Sequence, residues 1–325
     1  MSESNTSSHP YLHPEFSSTY RKIFDEQTQK ISSNKDKLDQ LVSIRSFAVL
    51  LIPAGARRPP AESGAILKGL GVLWYMFIQT AQIIDFDDTL QDRLVTLLLW
   101  TKEFDLHCRT LYPPTEPALP NWESCGFVEN LQTAWKQLLA SGTPSQLRNL
   151  AAFSAKSLAV GICPDTLGLT SLSYLCEALE TDDETTIATR LPAVTVWIEQ
   201  CRDKLLVFSV TGRFSEAKPE VAHLAELGVL ARRADVKLPG CSLERWLFWR
   251  RRLQQLSHHS DPAVAKEARK GFMSMVTCGR LLDYEVPGEA KFEERVQVAM
   301  TEALATGGNA CLNLEEADFD VDWVD

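Results

Sequence analysis

The chain has 325 residues, of which 45% are hydrophobic and 23% are charged, which is the composition of a globular protein with a sizeable core. Its formal net charge of -10 excludes a general affinity for nucleic acids or anionic membranes, because both require a positive field. We therefore expect neither a nucleic-acid partner nor a membrane partner.

The beginning of the chain and its cysteines indicate a reducing compartment. Residues 1–13 contain neither the basic nor the apolar region of a signal peptide. The most apolar windows, residues 70–84 and 94–100, are too short or too interrupted to span a bilayer. The cysteines lie far apart and form no C-x-x-C pair, which is typical of reduced thiols. We expect a cytoplasmic or nuclear protein.

The pattern of apolar residues predicts an all-helical chain. Residues 1–13 are rich in serine and predict a disordered N-terminus. Helical spacing then begins after Pro14, is broken by a predicted loop at 53–60, and resumes to residue 84 and from 88 to 106. A proline-rich connection follows at 113–120. Further helices are predicted at 122–139, 145–160, 166–179, 187–209, 219–232, 242–257, 261–282 and 288–305.

These elements predict one all-α domain over residues 14–305, with about ten to twelve helices in an array-like order. No stretch alternates as a strand would. Residues 306–325 form an acidic tail, in which acidic and apolar side chains alternate from Leu314 to Asp325. Such a tail is typical of a disordered terminus. The more specific alternative is that the tail is a peptide that docks on a protein partner.

An aspartate cluster at residues 85–92 resembles in composition the carboxylates that hold magnesium against a diphosphate. A second metal-binding motif is missing further along the sequence. Helix capping explains the cluster better, with Asp88 and Gln91 as a capping box and Asp92 near the positive helix end. We predict that the cluster caps a helix.

The remaining motifs predict neither a metal site nor a cofactor. His258 and His259 lie at a helix end without further ligands at metal spacing, so an interaction with the helix C-terminus is the simpler interpretation. Phosphate-binding loops, dinucleotide fingerprints, G-x-S-x-G and H-E-x-x-H are missing from the sequence. The common hydrolases, kinases and dehydrogenases are therefore disfavoured.

The predicted helix after Ser242 contains the candidate binding residues. Trp246 and Trp249 lie on its apolar face, and Arg250 falls about 40° from Trp246, inside that face. An arginine there requires a carboxylate partner or a ligand. We predict that Arg250 is at least half buried beside a carboxylate remote in sequence, and keep Arg250, Trp246 and Trp249 as candidate ligand-binding residues.

A second apolar face is predicted within residues 194–208. It consists of Val194, Trp197, Ile198, Cys201, Leu205 and Phe208. Because charged side chains lie outside this face, we predict that it belongs to the core.

Several segments resemble a known family. They are Gly240 to Leu256, Ala265 to Met275, Glu129 to Trp135, Asn149 to Phe153 and Ala193 to Cys201. Together they resemble the filamentous-fungal proteins known as domain of unknown function 3632, over most of residues 70–285. The resemblance implies a helical fold and a fungal origin, and it supplies no activity and no catalytic residue.

These observations favour an interaction, scaffold or regulatory protein that contacts a protein partner through a helical surface or through the acidic tail. The alternative is an auxiliary enzyme or small-molecule binder in a fungal specialised-metabolite pathway. A deep pocket lined by tryptophans and a charged group would favour the alternative, whereas a shallow surface favours an interaction protein.

Overall fold

A computed structural model describes residues 14–57, 63–112, 126–219 and 221–305. Within these ranges the chain is helical and contains no strand, which confirms the predicted all-α class. The helices are α1 (Pro14–Thr28), α2 (Asn34–Arg57), α3 (Ser63–Ile83), α4 (Thr89–Leu111), α5 (Phe127–Ser141), α6 (Pro144–Ala159), α7 (Pro164–Leu179), α8 (Glu184–Val210), α9 (Val229–Arg233), α10 (Leu243–Leu256), α11 (Pro262–Val276), α12 (Cys278–Leu281) and α13 (Glu289–Ala305).

The helices group into two compact units, divided between Cys163 and Pro164. Unit 1 contains α1 to α6 and unit 2 contains α7 to α13. One domain over residues 14–305 stays a prediction. The expected disorder at 1–13 and 306–325 and the expected loop at 113–120 lie outside the described residues.

The core of unit 1 is centred on α3. This helix packs against α1, α2, α5 and α6, and its Trp74 and Phe77 are fully buried. The Trp74 ring meets the Phe127 ring of α5 edge-on with 5.4 Å between centroids, and Phe77 stacks on Phe153 of α6 at 6.4 Å. A helix that is apolar on most of its sides is expected at the centre of such a bundle.

Helix α2 corrects the predicted loop at 53–60, because the helix continues through Pro53 and ends at Arg57. A proline inside a helix removes one hydrogen bond to the carbonyl four residues earlier. Here that carbonyl belongs to Val49, which lies on the exposed side of α2, where water can supply the bond.

Within the described residues, α2 is the one helix long and apolar enough to cross a membrane by length and composition. Core helices of folded proteins meet the same criterion. Helix α2 buries Ile44, Phe47 and Leu51 and packs against α3 and α4. The expectation of no membrane partner stays a prediction.

Unit 2 is built around the long helix α8, which packs against α7, α10, α11 and α12. The backbone of α8 departs from helical geometry at Cys201, with φ -141° and ψ 22°. The predicted core face of this helix is confirmed, because all six of its residues are buried: Val194, Trp197, Ile198, Cys201, Leu205 and Phe208.

The helix predicted at 219–232 is wrong. The chain forms only a 3-10 turn at Ala222–Leu224 and the short helix α9. The carbonyls of Ala225 and Glu226 accept hydrogen bonds from a buried arginine side chain of α10. These carbonyls therefore have hydrogen-bond partners without forming a helix. The periodicity of apolar residues does not reveal that an arginine side chain is the partner.

Candidate functional site

A buried ion pair joins α10 to the end of α7. Ser242 caps α10 by accepting from the Arg245 amide at 3.1 Å. The Arg245 side chain then donates from Nε to Glu180 Oε1 at 2.6 Å, and both side chains are 0% exposed. Trp249, one turn later, donates from Nε1 to the same Glu180 oxygen at 2.7 Å. We call Glu180, Arg245 and Trp249 the buried cluster.

The buried cluster also holds the segment between α8 and α10. Arg245 donates to three backbone carbonyls at 2.8–2.9 Å, those of Ala225, Glu226 and Gly240. Gly240 has φ +77°, and a Cβ atom there would come within 2.5 Å of the Phe214 backbone. Glu180 Oε2 accepts from the Gly228 amide. A buried charged pair needs such additional hydrogen bonds, and here they fasten an irregular segment to the core.

The three candidate residues of α10 are all buried. Trp246 and Trp249 are each 1% exposed, and Arg250 is 4% exposed. The predicted burial of Arg250 is therefore confirmed. Its side chain donates to the Pro287 carbonyl at 2.7 Å, and its charge also acts to lower the pKa of Glu289, although burial raises that pKa overall. Ligand binding by Arg250, Trp246 and Trp249 stays a prediction.

Two thiols near the buried cluster are poor nucleophiles. Burial raises the pKa of Cys176 to about 12 and that of Cys241 to about 12. The thiolate is the reactive form of cysteine, so both side chains are protonated at neutral pH. This chemistry indicates structural thiols.

The aspartate cluster caps α4, as predicted. Asp88 Oδ1 accepts from the Leu90 amide at 2.9 Å, and Lys37 lies 3.5 Å from Asp88. Asp92 pairs with Lys156 at 2.7 Å. In the part of the chain that the structure describes, no group of three or more His, Cys, Asp or Glu side chains could hold a metal ion.

The predicted capping box of Asp88 and Gln91 is wrong for Gln91. Gln91 is fully buried and donates from Nε2 to the Ala81 and Ile84 carbonyls at 3.0 and 2.8 Å. It therefore satisfies the C-terminal end of α3, whose last carbonyls lack partners within the helix.

We expect Asp88→Ala to lower the free energy of unfolding by about 1 kcal/mol, because the α4 N-terminus loses its cap. Urea denaturation measures this change. Asp87→Ala is the control, since Asp87 is exposed and lies outside the helix. A magnesium-dependent rise in the melting temperature of the wild type, lost in Asp88→Ala, would contradict the capping role.

The histidine pair follows the end of α10. His259 Nε2 lies 2.5 Å from Glu184 Oε2, and its Nδ1 accepts from the Asp261 amide at 3.0 Å. His259 thus connects the end of α10 to the beginnings of α8 and α11. These contacts of the His259 side chain are with a carboxylate and a backbone amide. The predicted interaction of the histidine pair with the helix C-terminus stays a prediction.

An open cleft of about 260 Å³ lies beside the α1–α2 turn. It is lined by Gln27, Lys30, Ile31, Asp36, Asp39, Gln40 and Ser43. The lining contains no tryptophan, so the cleft lacks the features that would favour a small-molecule binder.

Unit 1 carries an exposed apolar surface that the sequence analysis did not identify. Leu38, Val42 and Val49 are 37%, 62% and 44% exposed on α2. On the neighbouring helix α4, the partly exposed Trp100 and Phe104 stack with 4.9 Å between ring centroids. We call these five residues the α2–α4 strip.

Arg45 connects the two halves of the α2–α4 strip. Its guanidinium carbon lies 5.7 Å from the centre of the Trp100 ring, within the range of a cation–π contact. The two helices run in parallel, since Lys37 pairs with Asp88 where they begin and Arg57 donates to the Tyr112 hydroxyl where they end. The strip therefore follows the seam between two parallel helices.

The comparisons with known proteins identify the family. The family model described as "Protein of unknown function (DUF3632)" matches residues 74–253, more than half of the chain. The chain belongs to this family. Neither a curated protein nor a solved structure matches it.

The DUF3632 match includes the complete buried cluster and the α4 half of the α2–α4 strip. It begins within α3 and ends within α10, so α2 and the segment from Ala265 to Met275 lie outside it. The expected resemblance is confirmed as a family, whereas the fungal origin and the cytoplasmic or nuclear location stay predictions.

Proposed function

We propose that this DUF3632 protein is an interaction protein, a scaffold or regulator that binds a protein partner through the α2–α4 strip. The observation that carries the proposal is a row of exposed apolar side chains on α2, beside the stacked rings of Trp100 and Phe104 on α4 and joined to them by Arg45. Exposed apolar patches of this kind mark interaction sites, and aromatic side chains with arginine are enriched where proteins meet.

The buried residues of α10 also support an interaction protein over a small-molecule binder. Trp246 and Trp249 are inaccessible to solvent, and Trp249 already donates to Glu180. A deep pocket lined by such residues would favour the alternative role in a biosynthetic pathway, and these two side chains are packed in the core instead. The α2–α4 strip, in contrast, is open to a macromolecule.

We expect the double substitution Val42→Glu with Val49→Glu to remove partner binding without unfolding the protein. Both side chains are exposed, so the free energy of unfolding should change by less than about 0.5 kcal/mol. Two carboxylates in an apolar interface would be desolvated without partners, which opposes binding. Proximity labelling in the native cells, compared between the wild type and the double variant, measures the loss.

Val207→Glu provides the matched control, because Val207 is 44% exposed on α8 of unit 2. Proteins labelled by the wild type and by Val207→Glu, but not by the double variant, would support the proposal. Identical sets of labelled proteins for all three chains would contradict it, provided that thermal melts show all three to be folded.

A further inference from the structure

The cleft beside the α1–α2 turn contains a buried amide whose carbonyl oxygen is unused. Gln40 of α2 lines this cleft and is 5% exposed. Its Oε1 is buried and has no hydrogen-bond partner among the described residues. Buried side-chain amides are nearly always hydrogen-bonded, because burial removes their hydrogen bonds to water and only a new partner replaces them. An unused acceptor in the wall of a cleft indicates that a donor comes from outside the chain.

Two carboxylates line the same cleft as Gln40. Asp36 Oδ2 accepts from the Ser32 and Ser33 amides at 3.1 and 3.0 Å. The hydrogen bonds from Ser32 and Ser33, first of all that from the Ser32 backbone, lower the pKa of Asp36, so this side chain is ionised at neutral pH. Asp39 is exposed and forms no ion pair within 4.0 Å with a described residue. The lining therefore offers acceptors and negative charge to a cationic donor.

The size and charge of the cleft favour a single basic side chain. Its volume of about 260 Å³ lies below the roughly 300 Å³ at which pockets for drug-sized ligands begin. Lys30 is the one cation among the described lining residues, and two aspartates oppose it, so the lining is negative overall. A guanidinium carries five N–H donors in one plane and pairs well with carboxylates, so it can meet several of these acceptors at once.

We propose that this cleft receives an arginine side chain of the partner protein. The inference rests on the proposed function, since it names a side chain that the partner carries beside its apolar contact with the α2–α4 strip. Asp39 and Val42 are three positions apart on α2, and residues at this spacing are neighbours on a helix surface. A partner that packs on Val42 can therefore place a guanidinium against Asp39, where it also donates to Gln40 Oε1.

The experiment uses the full chain and the probe N-acetyl-arginine methylamide, followed by NMR of isotope-labelled glutamine side chains. The Gln40 amide signal, assigned by its loss in Gln40→Leu, should shift as the probe is added. N-acetyl-citrulline methylamide is the matched control, because it has nearly the same shape and no charge. It should bind at least about fivefold more weakly, since its hydrogen bonds are not charge-assisted. Added salt should weaken binding of the arginine probe.

Three substitutions test the charges that act on the probe. Asp39→Asn keeps the shape of the side chain and should weaken binding of the arginine probe at least about threefold. Glu103→Gln removes an equal charge from an exposed position of α4 outside the lining and should leave binding unchanged. Lys30→Met should strengthen binding, because it removes a cation that repels the guanidinium. Weaker binding by Lys30→Met would contradict a cationic occupant.

Gln40→Leu separates a binding role from a structural one. Leucine fills a similar volume, and the amide oxygen that it replaces has no partner among the described residues. The variant should therefore melt at the wild-type temperature or above it, because no hydrogen bond of that oxygen is lost. The same variant should weaken binding of the arginine probe about threefold or more. A melting temperature clearly below that of the wild type would mean that the amide supports the fold, and the inference would be wrong.

Two further outcomes would overturn the inference: no shift of the Gln40 amide with the arginine probe, and equal binding of the citrulline probe. In proximity labelling, Asp39→Asn should reduce the labelling of partners that depend on Val42 and Val49. If labelling depends on those valines but ignores Asp39→Asn, the proposed function stands and only the role of the cleft is wrong. If the probe binds through Asp39 while labelling ignores the valines, the strip is wrong and the cleft remains an arginine site.

Discussion

Replacing Arg245 by methionine should lower the free energy of unfolding by about 3–5 kcal/mol. The substitution leaves Glu180 as a buried carboxylate without its cation. It also removes the donor to the carbonyls of Ala225, Glu226 and Gly240. Chemical denaturation monitored by circular dichroism measures the loss, and the segment 211–242 should show faster amide hydrogen exchange than α8.

Arg233→Met is the matched control for Arg245→Met. Arg233 pairs with Asp182 at 3.0 Å, but both side chains are 65% exposed, so its loss should cost less than about 1 kcal/mol. A double variant with Glu180→Leu and Arg245→Met should remain destabilised, because the backbone groups of the irregular segment still lack their partners. A double variant as stable as the wild type would show that the buried cluster does not hold this segment.

Helical periodicity and capping residues predicted most of the fold. The core face around Trp197 follows from spacing alone, and Ser242 and Asp88 are caps at the beginnings of α10 and α4, as their residue types indicate. Such features depend on residues within one or two turns, and the sequence displays them directly. The predictions at 53–57 and 219–232 were wrong because backbone carbonyls there have partners that the local sequence does not show. Water can reach the Val49 carbonyl in α2, and an arginine side chain of α10 donates to the carbonyls of Ala225 and Glu226.

The buried cluster could be predicted only in part. The helical position that drew attention to Arg250 applies equally to Arg245, which lies about 40° from Trp249 around the helix. Helical spacing therefore also indicates an arginine inside the apolar face at position 245. The partner Glu180 was not predictable, because it lies 65 residues away and the pairing depends on how α7 and α10 pack.

The α2–α4 strip shows a different limit. Helix α2 is apolar on two sides, with Ile44 and Leu51 buried and Val42 and Val49 exposed. Periodicity identifies both faces, but it does not state which of them meets another helix. Only the packing of α3 and α4 against one side leaves the other available to a partner.

Trp197→Ala should also lower the free energy of unfolding by about 3–5 kcal/mol. Trp197 is 0% exposed, and its ring meets the Tyr174 ring edge-on with 6.0 Å between centroids. Alanine would leave a cavity between α7 and α8, which the packed helices cannot close without moving. Urea denaturation of the purified variants measures the cost.

Two variants separate cavity formation from a change in helix propensity or hydrogen bonding. Val207→Ala alters an exposed position of the same helix and should change the free energy of unfolding by less than about 0.5 kcal/mol. Trp197→Phe retains most of the buried volume, and Trp197 Nε1 has no hydrogen-bond partner among the described residues. This variant should therefore lose less than half as much stability as Trp197→Ala. Equal losses for phenylalanine and alanine would mean that the indole is held by something other than packing.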